Sequence, residues 1–196
     1  MEYINKVYKE SNLEFNDSIS TYNGWGAQQN PNTFEAFHNF IREVKPKRII
    51  EIGTSIGGLT TFIDYTCKLL ELDCKLISFD VNEMPYYRHM RDNGIDIRIE
   101  NIFSEGYSIV KEEMIDFIKE DGITIVLCDG GYKIGEFNIL SKYIKSGDFI
   151  MAHDYASDEQ YFKEHINLKM WNWHEIADSD IQDAVNRNKL SPYMKD

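Results

Sequence analysis

Hydrophobic and polar positions along this chain alternate between two textures. Short runs rich in β-branched residues, "RIIEI" (48–52), "KLISFD" (75–80), "IDIRIE" (95–100), "ITIVLCD" (123–129) and "DFIMAHD" (148–154), read as strands. Four of the five are nearly continuous, as expected of strands covered on both faces. Between them apolar residues recur at helical spacing over about 57–71, 84–93, 106–120 and 134–145, and a further helix at about 32–44 precedes the first strand. Strand and helix in alternation need right-handed crossovers, so the pattern predicts an α/β domain on a doubly wound, mostly parallel sheet. Ligands of such sheets bind beyond the carboxyl ends of the strands. The residues that end each run are therefore the ones to read for chemistry.

Punctuation agrees with the pattern. Asn32-Thr33 reads as a helix start, and Pro46 stops that helix before the first strand. Gly94, Gly122 and Gly147 each fall between a helical stretch and a strand, where a helix C-cap belongs. Further on, "YFKEHINLKMWNWHEI" reads as a short helix and then an edge strand near 169–175, and "SDIQDAVNRNKL" as a capped helix. Trp171, Trp173 and His174 leave two readings open: one face of that edge strand packed into the core, or the wall of a substrate pocket. With no repeat and no low-complexity linker, the chain is read as an N-terminal extension, 1–31, and one domain, 32–196.

Composition narrows the partners. A length of 196 residues suits one domain with a sizeable core. A formal net charge of −12, with Lys and Arg scattered, repels a phosphate backbone, so nucleic acid is not an expected partner. The start lacks the apolar core of a signal peptide and no run is long enough to span a bilayer, so a cytoplasmic protein without a membrane partner is expected. Cys67, Cys74 and Cys128 have no C-x-x-C spacing and read as buried, reduced thiols.

The first strand runs into "EIGTSIGG", a strand, a glycine-rich turn and a helix start. A dinucleotide loop, G-x-G-x-x-G, wants glycine where Ser55 stands, and a phosphate loop wants lysine where Leu59 stands. What remains is S-adenosylmethionine, a nucleoside with an amino-acid tail and a sulfonium cation. Glu51 suits its positive charge, while Gly53, Thr54, Ser55, Gly57 and Gly58 let its ribose and methionine approach the backbone. A turn kept tight for packing alone is the competing reading. The acid followed by this turn resembles the first motif of class I S-adenosylmethionine-dependent methyltransferases, which implies a Rossmann-like fold. Asp80, ending the second strand, matches the acid that binds the ribose hydroxyls in that family, although NAD enzymes carry one too. Asn101 and Ile102, after the third strand, match the positions that contact adenine, with an ordinary loop role as the alternative.

Strands four and five end in "IVLCDGGYK" and "FIMAHDY", which brings Asp129, His153 and Asp154 to one edge of the sheet. Three readings stay open for them: a divalent-cation site that would lower the pKa of a substrate hydroxyl, a metal-free general-base pair, or strand-ending groups with a structural role. The arrangement resembles metal-dependent O-methyltransferases of the catechol type, and still more the small family of antibiotic and sugar enzymes related to cephalosporin-biosynthesis and rhamnosyl O-methyltransferases. The resemblance covers roughly residues 30–155. It implies methyl transfer from S-adenosylmethionine to a small-molecule hydroxyl, with Asp129, His153 and Asp154 holding Mg²⁺. His153 departs from the carboxylate that catechol-type enzymes have there. Lys133 lies one residue from the place of the catechol-type lysine base, and is read either as that catalytic base or as a solvated lysine. Related folds use the region of "TYNGWGAQQNPNTF" as a lid, in which Trp25 would cover the site. The family also ends in an antiparallel strand pair that this sequence cannot supply, so the sheet is expected to lack its last strand or to borrow it in a homo-oligomer. The rivals are a nicotinamide-dependent oxidoreductase and a non-catalytic S-adenosylmethionine-binding protein.

Overall fold

The computed structural model describes residues 14–16, 19–22, 24–104 and 106–193. About half of the expected N-terminal extension, including residues 1–13, thus lies outside the described residues. Five strands, β4 (Arg48–Ile52), β5 (Lys75–Asp80), β6 (Asp96–Ile99), β9 (Thr124–Cys128) and β10 (Phe149–Ala152), form one wholly parallel sheet in the order β10-β9-β4-β5-β6. The chain winds outward from β4 to β6, then crosses back to build β9 and β10 on the other side. The crevice between β4 and β9 is therefore the topological switch point, where such sheets bind ligands.

Two apolar layers enclose the sheet, as the continuous strand runs require. Ile49, Ile125 and Leu127 face α1 (Pro31–Val44) and α2 (Gly58–Leu69), packing with Phe34, Phe62 and Ile63. Their neighbours Ile50, Ile52, Val126 and Cys128 face the other way, against Met114 and Ile118 of α4 (Glu112–Lys119), Phe137 of α5 (Lys133–Leu140) and Ile181 of α7 (Asp178–Asn188). A strand residue of either parity is thus buried. A smaller cluster of Tyr87, Met90, Ile95 and Ile97 seats α3 (Tyr87–Asp92).

Boundaries differ from the sequence reading in ways that have local causes. Asn30 caps α1, its side chain accepting from the Asn32 amide, with Pro31 opening the helix; Lys45 turns left-handed ahead of the buried Pro46. Helix α4 begins at Glu112 and not near 106, because left-handed Gly106 and Tyr107 turn the chain into a hairpin of β7 (Phe103–Ser104) and β8 (Ile109–Val110). Helix α5 ends at Leu140, after which the Lys145–Asp148 ion pair organises the turn into β10. Gly94, Gly122 and Gly147 adopt the positive φ expected of helix ends.

The edge strand expected near 169–175 does not form. A short helix α6 (Glu159–Tyr161) passes into a π-helical turn (Phe162–Ile166), and only isolated bridges, Asn167 to Trp171 and Tyr155 to Ile176, follow. Left-handed Leu168 breaks the extended run, and the Trp171 and Trp173 rings meet at a tilt, 5.0 Å apart, with Trp173 46% exposed and outside the core. Among the described residues the sheet therefore has no antiparallel strand. Cys67 and Cys128 are buried and Cys74 partly so, all as free thiols. No described helix is long and apolar enough to cross a membrane.

The short sheet of β1 (Glu14–Asn16), β2 (Ile19–Tyr22) and β3 (Trp25–Gly26) ends against the start of α2. A Cβ on Gly58 would stand 2.6 Å from the carbonyl oxygens of both Trp25 and Gly26. Helix propensity alone favours alanine there by about 0.5–1 kcal/mol. Backbone carbonyls cannot rotate aside, so overpacking should win: we expect Gly58→Ala to destabilise by about 1–3 kcal/mol. A thermal melt checks the sign, since an unchanged or raised Tm would show that no such close approach exists.

Candidate active site

The site begins with the turn after β4. Gly53 has φ +97°, and a Cβ on it would lie 2.1 Å from the carbonyl oxygen of Asp129. The end of β4 thus rests directly on the end of β9, and only glycine allows it. Gly57, also at positive φ, opens α2 beneath the Met90 thioether. Ser55 keeps a left-handed φ of 49°; its amide donates to Asp80 Oδ2 at 2.8 Å, and its carbonyl accepts from the Tyr87 hydroxyl at 2.6 Å.

Asp80 does more than its expected ribose role demands. It also accepts from Tyr87 at 2.9 Å and from the Asn82 amide at 2.9 Å, so it anchors the glycine turn to β5. Thr54 turns its hydroxyl inward to meet Ser78 at 2.6 Å, so its side chain supports the turn from below. Glu51 is buried, accepting from Thr60 and Ser78 at 2.6 Å each. Burial pushes its carboxyl up to about 7, more than those two hydroxyls pull it down.

At the ends of β9 and β10 the three expected side chains converge. His153 Nδ1 lies 3.2 Å from Asp129 Oδ1 and 3.1 Å from Asp154 Oδ1, and one ligand atom from each residue lies within 4.8 Å of the others. Burial disfavours a charged imidazole, but the two carboxylates outweigh it and push His153 up to about 9. Asp154 is held well below the usual carboxylate range: burial opposes its charge, and the His153 ring, the Trp171 indole and Lys133 overcome that. Asp129 goes the other way, because its burial exceeds the pull of His153 and Lys133. The Trp171 indole N–H donates to Asp154, its ring lies edge-on to His153 at 5.0 Å, and the buried Gln29 amide reaches Asp129 Oδ2 at 3.4 Å.

Lys133 is not solvated. Its side chain is 7% exposed, and its ammonium lies 2.8 Å from Glu175, 3.1 Å from Asp154 and 3.2 Å from the Gly130 carbonyl. Burial would lower its pKa, but these acids hold it above the ordinary lysine range. A buried ammonium held in this way acts as a counter-charge to the acids.

Two cavities of about 300 Å³ each meet at this point, sharing Gly53, Ser55 and Asp129. One extends past Glu51, Gly57 and Gly58 to Lys133, His153, Asp154, Trp171 and Trp173; the other runs over Asp80, Asn101 and Ile102. Asn101 also accepts from the Phe103 amide at 2.9 Å, which shapes the loop it sits in. Trp25 packs against Tyr86 and His89 and does not cover the acid cluster, whereas Gln28 and Gln29 of the same segment do line or touch the site. The tryptophan pair forms a cavity wall and not an edge strand.

Four contributors carry no signal in the sequence: Glu175, Tyr87, Ser78 and Thr60. Each acts through a partner on another element or turn, although Ser78, Thr60 and Glu175 lie beside residues singled out by pattern. Glu136 is a fifth, accepting from the Gly130 and Tyr132 amides to hold the turn after β9.

The Glu51 shift has a testable sign. A carboxyl whose folded pKa is raised binds more protons folded than unfolded between about 4.5 and about 7, so it costs stability as pH rises through that window. Glu51→Gln removes the cost. The Tm difference between Glu51→Gln and the wild type should therefore grow in favour of the variant from pH 5 to pH 8; a difference flat with pH would remove the burial argument.

The family Rhamnosyl O-methyltransferase/CmcI matches over residues 17–175. A comparison with curated proteins gave no match. Among solved structures, CmcI with Mg and SAM superposes with TM-score 0.51 at 17% identity, over 73% of this chain and 60% of that one. The apo structure of CmcI gives 0.53 at 17%, over 83% and 69%. An O-methyltransferase family protein from Burkholderia thailandensis gives 0.50 at 9%, over 82% and 50%. This chain thus spans about 60% of the length of the first of these, and at such identities the superpositions speak for the fold. The family match covers most of the chain, and it includes every residue of the turn and of the acid cluster: the chain belongs to the Rhamnosyl O-methyltransferase/CmcI family.

Proposed function

We propose that this chain transfers a methyl group from S-adenosylmethionine to a hydroxyl oxygen of a small molecule, assisted by a divalent cation. The observation that carries the reading is the two-part cavity at the switch point, which joins a glycine turn to an acid cluster at Asp129. A nucleoside half would lie over Asp80, Asn101 and Ile102, and a methionine half against Gly53, Gly57 and Gly58. Membership of an O-methyltransferase family supports the reaction class.

The residues fit a cation: two carboxylates and an imidazole have ligand atoms within 4.8 Å of one another. Asp129, His153 and Asp154 would hold it, with oxygen ligands suiting Mg²⁺ and the imidazole admitting Mn²⁺ equally. Bound there, a divalent cation lowers the pKa of a coordinated hydroxyl. The chain's own residues do the positioning. Gln29 and the Trp171 indole hold the carboxylates in orientation, Lys133 offsets their charge, and the Trp171–Trp173 wall screens the cluster from water on one side. Half-exposed Trp173 offers a flat apolar face to the ring of an acceptor. Methyl transfer would break the sulfonium sulfur–carbon bond, its electron pair staying on the thioether sulfur, and form an oxygen–carbon bond as the acceptor oxygen releases its proton to solvent, so alignment and desolvation contribute more than acid/base chemistry.

Calorimetric titration with S-adenosylmethionine and with NAD tests the reading. We expect the first to bind and the second not; absence of S-adenosylmethionine binding would sink it. Asp129→Ala and Asp154→Ala should each weaken Mn²⁺ binding, followed by electron paramagnetic resonance, by about tenfold or more, the range for loss of a charged ligand. Wild-type Mn²⁺ affinity in both variants would place the cation elsewhere.

A further inference from the structure

Both oxygens of Asp154 are already engaged. Its Oδ1 takes His153 and the Trp171 indole, and its Oδ2 takes Lys133 at 3.1 Å. A divalent cation that uses Asp154 must therefore meet the Lys133 ammonium at close range. Lys133 cannot retreat to solvent, since its side chain is buried. Two other carboxylates lie within its reach: Asp129, at 3.7 Å, which belongs to the cluster itself, and Glu175, at 2.8 Å, which lies outside it on the segment after the π-helical turn and is 48% exposed. The Gly130 carbonyl, at 3.2 Å, supports the ammonium on the same side. Glu175 is itself tied to the cluster through its backbone, its amide donating to the Asp154 carbonyl at 2.9 Å.

We propose that Lys133 is the resident counter-cation of the acid cluster, and that Glu175 is a positioning residue that retains Lys133 when a divalent cation displaces it from Asp154. The inference rests on the cation site proposed above. Physically, the exchange replaces one lysine–carboxylate contact by a cation–carboxylate contact while Lys133 keeps Glu175 and Gly130. With Glu175 uncharged, the ammonium has only Asp154 and Asp129 to pair with, and it competes directly with the incoming cation. Glu175 also exerts a direct field on the site, but half-exposed charges are screened, so its main effect passes through Lys133.

The test is a double-mutant cycle on Mn²⁺ affinity, measured by electron paramagnetic resonance on the full chain. Glu175→Gln should weaken Mn²⁺ binding about tenfold, within the range of coupling for charges in contact. Lys133→Met should tighten it, and in that background Glu175→Gln should cost less than about threefold. The gain in Tm on adding Mn²⁺ should also be larger for Lys133→Met than for the wild type, because binding relieves an unbalanced acid cluster. Lys133→Gln serves in place of Lys133→Met if the latter does not fold. Equal losses from Glu175→Gln in both backgrounds, or no tightening on removing Lys133, overturn the proposal. A wild-type protein that binds no Mn²⁺ instead overturns the cation site itself and this inference with it.

Discussion

The approach of Gly53 to the Asp129 carbonyl is the constraint on which the site depends. Two parallel strands leave the sheet side by side, and a missing Cβ lets their ends touch. That contact registers the glycine turn against the acid cluster and joins the two cavities. Every other support acts by holding one side of it: Asp80 fixes the turn through Ser55, and Glu136 fixes the backbone after β9 through two amides.

Charge is the second constraint. Burial raises the cost of each ionised group, so the acids at the strand ends persist as charges only with partners. His153 and Lys133 supply them, which explains why the imidazole is pushed up to about 9 while Asp154 is held down. Glu51 lies beneath the same turn with hydroxyl partners alone, and its carboxyl is pushed up instead. One sheet edge thus holds carboxyl groups in opposite electrostatic states, sorted by what faces them.

How much was legible in advance follows from the range of each interaction. Strand and helix order depends on the spacing of apolar residues within a few turns, and β4 and β5 fall where the pattern puts them. The helix expected over 106–120 forms only from Glu112, because a hairpin stabilised by Phe103 and Val110 burial outweighs helical spacing before it. The strand expected at 169–175 failed for a related reason: Trp171 is drawn to Asp154 by its indole N–H, an interaction with a residue on another element.

By itself the sequence determined the doubly wound sheet, the glycine turn and the meeting of Asp129, His153 and Asp154, because strand parity and strand-end position follow from local periodicity. Tertiary structure alone decided that Lys133 is buried among acids, that Thr54 faces inward, that Asp80 serves the turn, and that Glu175 joins the cluster. Those outcomes depend on which side chains packing brings within a few ångströms across more than twenty residues of chain, and no spacing along the sequence encodes that distance.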